Sequence, residues 1–173
     1  DTYTAGHSQR VSEMSLRVCE LIGLKKKDIL KIHIAAHLHD IGKIGIPDAI
    51  LNKEGRLTDE EFEIMKTHSA IGAGILSKSK TLSEFSDIVL HHHERFDGKG
   101  YPDGLKGEKI PVGARIIAIC DSIDAMTSNR RYRKALGFDV CYQEIEKNLG
   151  KMYDPIIGQY VLDHFDKVTA CLH

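Results

Sequence analysis

Leu38-His39-Asp40-Ile41-Gly42-Lys43 closes a strongly apolar segment, and the reading of this stretch decides the rest. Ile29, Ile32, Ala36 and Asp40 follow helical steps of three and four, so the Asp40 carboxylate continues an apolar face. A charge is almost never buried unless it is paired or holds a metal. Asp40 is therefore either at the surface or partnered, and partners would have to come from distant parts of the chain. A second carboxylate stands in an apolar run at Asp121, and histidines occur at His7, His68, His91, His92 and His93.

The segments that carry these residues read as helices. His7 lies four residues before Val11, and Met14, Val18, Leu21 and Ile22 extend the stripe until Gly23 ends it. Thr58-Asp59-Glu60-Glu61 forms a capping box that opens a helix through Phe62, Met65, His68, Gly72, Ile75 and Leu76. In it, Gly72 and Gly74 let a neighbour approach closely. A further helix carries Leu82, Phe85, Ile88 and Val89 into His91-His92-His93. Successive helical residues point about 100° apart. His92 and His93 thus continue the inward stripe, and His91 is expected to face solvent. After a glycine-rich loop from Asp97 to Gly107, Pro111 starts a helix with Ile116, Ile117, Ile119 and Ile123, which also carries Asp121 and Asp124. The basic run Arg130-Arg131-Tyr132-Arg133-Lys134 follows, on the same helix or at its end. Two last helices are expected, from about Asp139 to Leu149 and from Asp154-Pro155. With no alternating strand pattern and no internal repeat, the expected fold class is all-α, a single compact helical domain.

The chain has 173 residues, enough for one domain with a real core. A formal net charge of −1 gives no global field to attract a nucleic acid polymer or an anionic membrane. No apolar run reaches the length of a membrane span, and there is no signal-peptide pattern at the start. The opening, almost inside a helix and without Met, predicts a domain cut from a longer protein. Cys19, Cys120, Cys141 and Cys171 show no close pairing. They read as small buried hydrophobes of a reducing compartment, and the expected location is the cytoplasm.

Taken singly, each candidate has a bland reading. His7 or His68 alone would be a satisfied core histidine, Lys43 a helix-end lysine, and the histidine triplet a helix C-terminus favoured by the dipole. Jointly these readings fail, because four apolar helices each deliver an imidazole or carboxylate to a buried face. Nitrogen and oxygen ligands without cysteine favour Fe, Mn or Zn. His7, His39, Asp40, His68, His92, His93 and Asp121 exceed one coordination sphere, so two divalent metals are the natural count. Two ions a few ångströms apart suit in-line displacement at phosphorus.

His39-Asp40 with Ile41-Gly42-Lys43-Ile44-Gly45-Ile46-Pro47, followed by His92-His93-Glu94-Arg95-Phe96-Asp97-Gly98-Lys99-Gly100-Tyr101-Pro102, resembles the HD-GYP family. These are cyclic di-GMP phosphodiesterases of the HD metal-dependent phosphohydrolase superfamily. The resemblance runs from His7 to about Pro155, and the paired motifs are very specific, whereas the His-Asp dipeptide alone is weak. It implies that residues 1–173 are one HD-GYP domain of a longer regulatory protein that hydrolyses cyclic di-GMP to linear pGpG, with further cleavage to GMP left open. It implies His7, His39, Asp40 and Asp121 as ligands of a first metal. Asp40 would bridge to a second metal held by His68, His92 and His93. Fe or Mn leads, with Zn, Ni, Co and Mg open. Some family members bind a third metal through a Glu where this chain has Tyr3, which argues for two metals here. Lys43 matches the lysine beside the scissile phosphate, with Asp40 the other catalytic position. Arg130 and Arg133 match substrate-phosphate contacts, although Arg131 stands where the family has Pro. By the resemblance, Gly100, Tyr101 and Pro102 would line the substrate groove and would be tied to contact with a partner such as a GGDEF-type regulatory protein; a homodimer stays open. Alternatives are a phosphodiesterase for cyclic GMP–AMP, a catalytically silent dinucleotide-binding adaptor, and a di-iron oxygen-binding helical protein.

Overall fold

A computed structural model describes residues 2–129 and 134–172, with side chains from Gly6 onward. Its framework is three long helices. α1 (Thr2–Leu21) and α2 (Lys26–Leu38) are joined by a turn in which Gly23 takes φ 74°, as a helix-ending glycine does. α1 packs along α2 and against α7 (Val112–Thr127). Val11, Met14 and Val18 of α1, Ile32 and Ala36 of α2, and Ile116, Ile117, Ile119 and Ile123 of α7 form the buried core. Each set recurs at helical spacing, so one stripe per helix leaves water and the polar remainder stays outside.

Between α2 and α7 lie short elements that carry most of the chemistry. A 3-10 turn (Ile41–Gly45) and α3 (Asp48–Leu51) follow α2. α4 (Asp59–Lys66) opens on the expected capping box: Glu61 N–H donates to Thr58 Oγ1 at 3.2 Å, and Thr58 N–H donates to Glu61 Oε2 at 2.7 Å. The helix expected to run through to Leu76 breaks at Thr67, whose hydroxyl donates back to the Ile64 carbonyl at 2.6 Å and competes with the helical ladder. α5 (His68–Ser77) therefore starts at His68 itself. The next expected helix is also divided, into a 3-10 turn (Ser83–Phe85) and α6 (Ser86–His91), with His92 as its C-cap.

Gly42 is where the 3-10 turn crosses α5. A Cβ there would collide with the His68 carbonyl and the Gly72 amide. Gly72 supplies the other half of the crossing, as its position in the sequence suggested, whereas Gly74 faces open space. This contact brings Asp40 and His68 to the same side of the bundle.

Beyond α7 come α8 (Phe138–Lys147), α9 (Pro155–Asp163) and a short α10 (Phe165–Thr169) that periodicity did not single out. Asp154 caps α9 through Ile156 N–H and Ile157 N–H, and Arg115 of α7 pairs with it at 2.6 Å. α7 ends at Thr127 with Ser128 extended, so the helix of Asp121 does not continue into the basic run. Cys19, Cys120 and Cys141 are buried free thiols, and burial pushes Cys19 and Cys141 up to about 12. Among the described residues there is no strand, only an isolated bridge between Leu149 and Tyr153. The described helices include none long and apolar enough to cross a membrane.

Candidate metal centre

The ends of α2 and α6, the start of α5, the second turn of α1 and the middle of α7 converge on one buried point. His7, His39 and Asp121 group on one side of it, and His68, His92 and His93 on the other; each group brings its ligand atoms close enough to hold a metal ion. Asp40 lies between them and divides its carboxylate. Oδ2 is 3.6 Å from His7 Nε2 and 3.6 Å from His39 Nε2, while Oδ1 is 3.5 Å from His68 Nε2. Asp121 Oδ1 is 3.3 Å from His7 Nε2, and His68 Nε2 is 3.4 Å from His92 Nε2. Ligand atoms about 2.0–2.2 Å from one ion sit about 3 Å or slightly more from each other, so these spacings are those of coordination edges.

Backbone carbonyls aim the imidazoles. Nδ1 of His39 bonds the Ala36 carbonyl at 2.6 Å, Nδ1 of His68 the Met65 carbonyl at 2.7 Å, and Nδ1 of His92 the Val89 carbonyl at 2.6 Å. In each case the carbonyl lies three residues back, an orphan acceptor at a helix end or turn. The bond orients the ring and leaves Nε2 bare toward the centre, the arrangement metal-ligating histidines use. His39 Nε2 is fully buried and has no hydrogen-bond partner among the described residues. An unpaired buried nitrogen is costly, and a divalent cation beside it and Asp40 is the group that fits.

The electrostatics agree. Burial holds His68 and His92 below their ordinary range and His93 at about 4, so all three are bare bases at neutral pH. Burial would raise Asp40, but His39 and Lys43 outweigh it and hold the carboxyl well below its usual range. His7 behaves differently: burial opposes its charge, yet hydrogen bonds to Asp121 and Asp124 raise it to about 9.

Lys43 donates to Asp40 Oδ2 at 2.6 Å and is about one-third exposed, so its ammonium sits at the rim of the centre. Tyr101 N–H donates to the His93 carbonyl, its ring stacks on His93 with centroids 5.0 Å apart, and the Tyr101–Pro102 peptide is cis. A Cβ on Gly100 would collide with the backbone of His93 to Arg95. The loop Gly100-Tyr101-Pro102 is thus seated on the centre. Arg130, Arg131 and Arg133 lie outside the described residues, as does the side chain of Tyr3.

A profile of the HD domain matches residues 2–157. The chain belongs to the HD-domain family. This HD domain is 46% identical over 171 residues to a "Cyclic di-GMP phosphodiesterase" of Thermotoga maritima, covering 98% of this chain and 46% of that protein. It is 37% identical over 169 residues to a "3'3'-cGAMP-specific phosphodiesterase 2" of Vibrio cholerae, covering 96% of this chain and 32% of that protein. The domain therefore spans less than half the length of these relatives. A cyclic GMP-AMP specific phosphodiesterase of V. cholerae superposes with a TM-score of 0.73 at 16% identity, over 96% of this chain and 45% of that one, and shares the helical fold.

Two features of the HD domain escaped sequence reasoning. Asp124 is fully buried, accepts from His7 Nδ1 at 2.7 Å, and is gripped by Arg10 Nε at 2.5 Å and Arg10 Nη2 at 3.1 Å. The signal was there: Asp124 lies one turn after Asp121, and Arg10 three residues after His7. His91, expected in solvent, is buried, although it does turn away from the two groups. Its Nε2 meets Asp103 at 2.9 Å and its Nδ1 the Asp87 carbonyl at 2.9 Å. Helical phase turned it off the inward stripe, but the loop from Asp97 to Gly107 folds over that face. Buried Glu94 holds the same loop by accepting from Asp103 N–H and Leu105 N–H.

Proposed function

We propose that this domain hydrolyses the phosphodiester bonds of cyclic di-GMP at a dinuclear centre. The observation that carries the reading is the division of Asp40, one oxygen toward His7 and His39 and the other toward His68. That is how a carboxylate bridges two ions. His7, His39 and Asp121 would hold one ion, and His68, His92 and His93 the other, with Fe, Mn or Zn suited to the nitrogen and oxygen donors and Fe or Mn put first by the resemblance. Two such ions would supply a water acidified toward neutrality and would neutralise charge on the phosphate oxygens.

The chain's own residues do the rest. Asp40 fixes the spacing of the two halves. The carbonyl-tied histidines hold their Nε2 atoms without reorganisation. Lys43 at the rim donates to a non-bridging phosphate oxygen as charge develops there. Arg130 and Arg133, by resemblance, bind the two phosphates with paired guanidinium donors. Water adds to phosphorus, the bond to the ribose 3′ oxygen breaks, and that oxygen takes the proton, giving pGpG; a second such cleavage gives GMP. In this reading the domain works in the cytoplasm as the effector part of a longer regulatory protein. Cyclic GMP–AMP is the second reading, favoured by the relative from Vibrio cholerae.

Turnover of both dinucleotides by the protein reconstituted anaerobically with Fe or Mn tests the proposal. Release of pGpG or GMP from cyclic di-GMP at the higher kcat/KM is expected. Cleavage of cyclic GMP–AMP alone would select the second reading, and binding without cleavage of either would make the domain an adaptor.

A further inference from the structure

The family motifs do not reach α4, yet its exposed face abuts the centre. Tyr101 stacks on His93 at an interplanar angle of 25°. Phe62 of α4 meets the Tyr101 ring edge-to-face, with centroids 6.5 Å apart. Lys66, one turn on, holds its Nζ 5.5 Å from the Phe62 centroid and 5.7 Å from that of Tyr101. Glu63 lies 2.6 Å from the same ammonium. Two rings, a cation and a carboxylate are therefore gathered one ring away from a candidate metal ligand. Phe62 is 47% exposed, so an aromatic surface is open beside the centre.

We infer that Phe62, Glu63 and Lys66 form a guanine-reading wall that selects the base of the dinucleotide entering the centre. The inference rests on the proposed function and names its specificity determinant. Every base has a face that stacks on an aromatic ring, so Phe62 grips without choosing. Lys66 and Glu63 choose. Guanine presents O6 and N7 as acceptors, to which a lysine ammonium donates. Its N1–H and N2–H groups, beside O6, donate to the Glu63 carboxylate. Adenine carries an amino group where guanine has O6, which would set a donor against the ammonium. The wall thus favours guanine and penalises adenine at the same position. The competing account is that Lys66 and Glu63 are an ordinary solvated pair three residues apart on a helix, which contributes almost nothing.

The test compares equilibrium binding of hydrolysis-resistant phosphorothioate analogues of cyclic di-GMP and cyclic di-AMP to the metal-loaded domain and its Lys66→Met and Phe62→Ala variants. Metal content serves as the check on folding. Lys66→Met should weaken cyclic di-GMP binding by roughly tenfold and leave cyclic di-AMP within about twofold, collapsing the preference. Phe62→Ala should weaken both to a similar extent. An unchanged ratio of the two affinities in Lys66→Met, in a protein that keeps its metals, would overturn the inference while leaving the proposed function intact. A parent domain that binds neither dinucleotide would overturn both.

Discussion

His7 Nδ1 and Asp124 Oδ2 lie 2.7 Å apart, although 117 residues separate them in the chain. The contact crosses from α1 to α7 and is closed on its far side by Arg10. It fixes which nitrogen of His7 faces the centre. Asp124→Asn should therefore weaken metal binding by about 10–100-fold, the usual effect of losing a carboxylate behind a ligating histidine, with little change in helix content. Metal titration followed by circular dichroism checks this. An unaltered affinity would mean that Asp124 only pairs with Arg10.

Asp40 and Lys43 should separate by phenotype. Asp40→Ala removes the carboxylate between the two groups and should abolish both metal retention and turnover. Lys43→Ala should keep the metals and lose about 10²-fold in kcat, the scale of one donor to a developing oxyanion. Elemental analysis beside steady-state kinetics reads both. Equal metal loss in the two variants would make Lys43 a structural partner of Asp40.

Metal loading should release protons, and the sign follows from His7. Without metal it is raised to about 9, against burial, by Asp121 and Asp124, so at pH 7.5 it carries a proton that a ligating Nε2 must lose. His93, lowered to about 4 by burial, has none to give. About one proton per chain should leave on loading at pH 7.5, and affinity should fall as pH falls. Calorimetry in two buffers of different ionisation enthalpy measures it, and zero release would contradict the protonation assigned to His7.

Gly42→Ala should be far costlier than an ordinary turn substitution. The added Cβ meets backbone, the His68 carbonyl and Gly72 amide, rather than a side chain that can swing away. A loss of about 3 kcal/mol or more is expected, at the upper end for single substitutions. Urea denaturation checks it. Gly74→Ala, into open space on α5, should be neutral or stabilising.

Much of the architecture was legible because hydrophobic period and helix signals act locally. The stripe of α1, the Thr58–Glu61 capping box and the Asp154-Pro155 start all appear where the sequence puts them. So does the convergence of His7, Asp40, His68, His92, His93 and Asp121, since a buried polar group announces its need for partners. What was not legible depends on the third dimension. The break at Thr67 comes from a hydroxyl choosing a carbonyl over solvent. The burial of His91 comes from a loop whose path only Glu94 and Asp103 reveal. Asp124 looked like one more polar residue on α7, because nothing local tells a carboxylate that supports a histidine from one that faces water. The face of α4 that carries Phe62 and Lys66 against Tyr101 carries no motif at all.

Anomalous diffraction from crystals of the metal-loaded domain tests the central claim most directly. Two peaks about 3.5–4 Å apart should flank Asp40, one among His7, His39 and Asp121 and the other among His68, His92 and His93. A single peak, or a peak only among His91, Glu94 and Asp103, would contradict the bridging role of Asp40 and the dinuclear mechanism built on it.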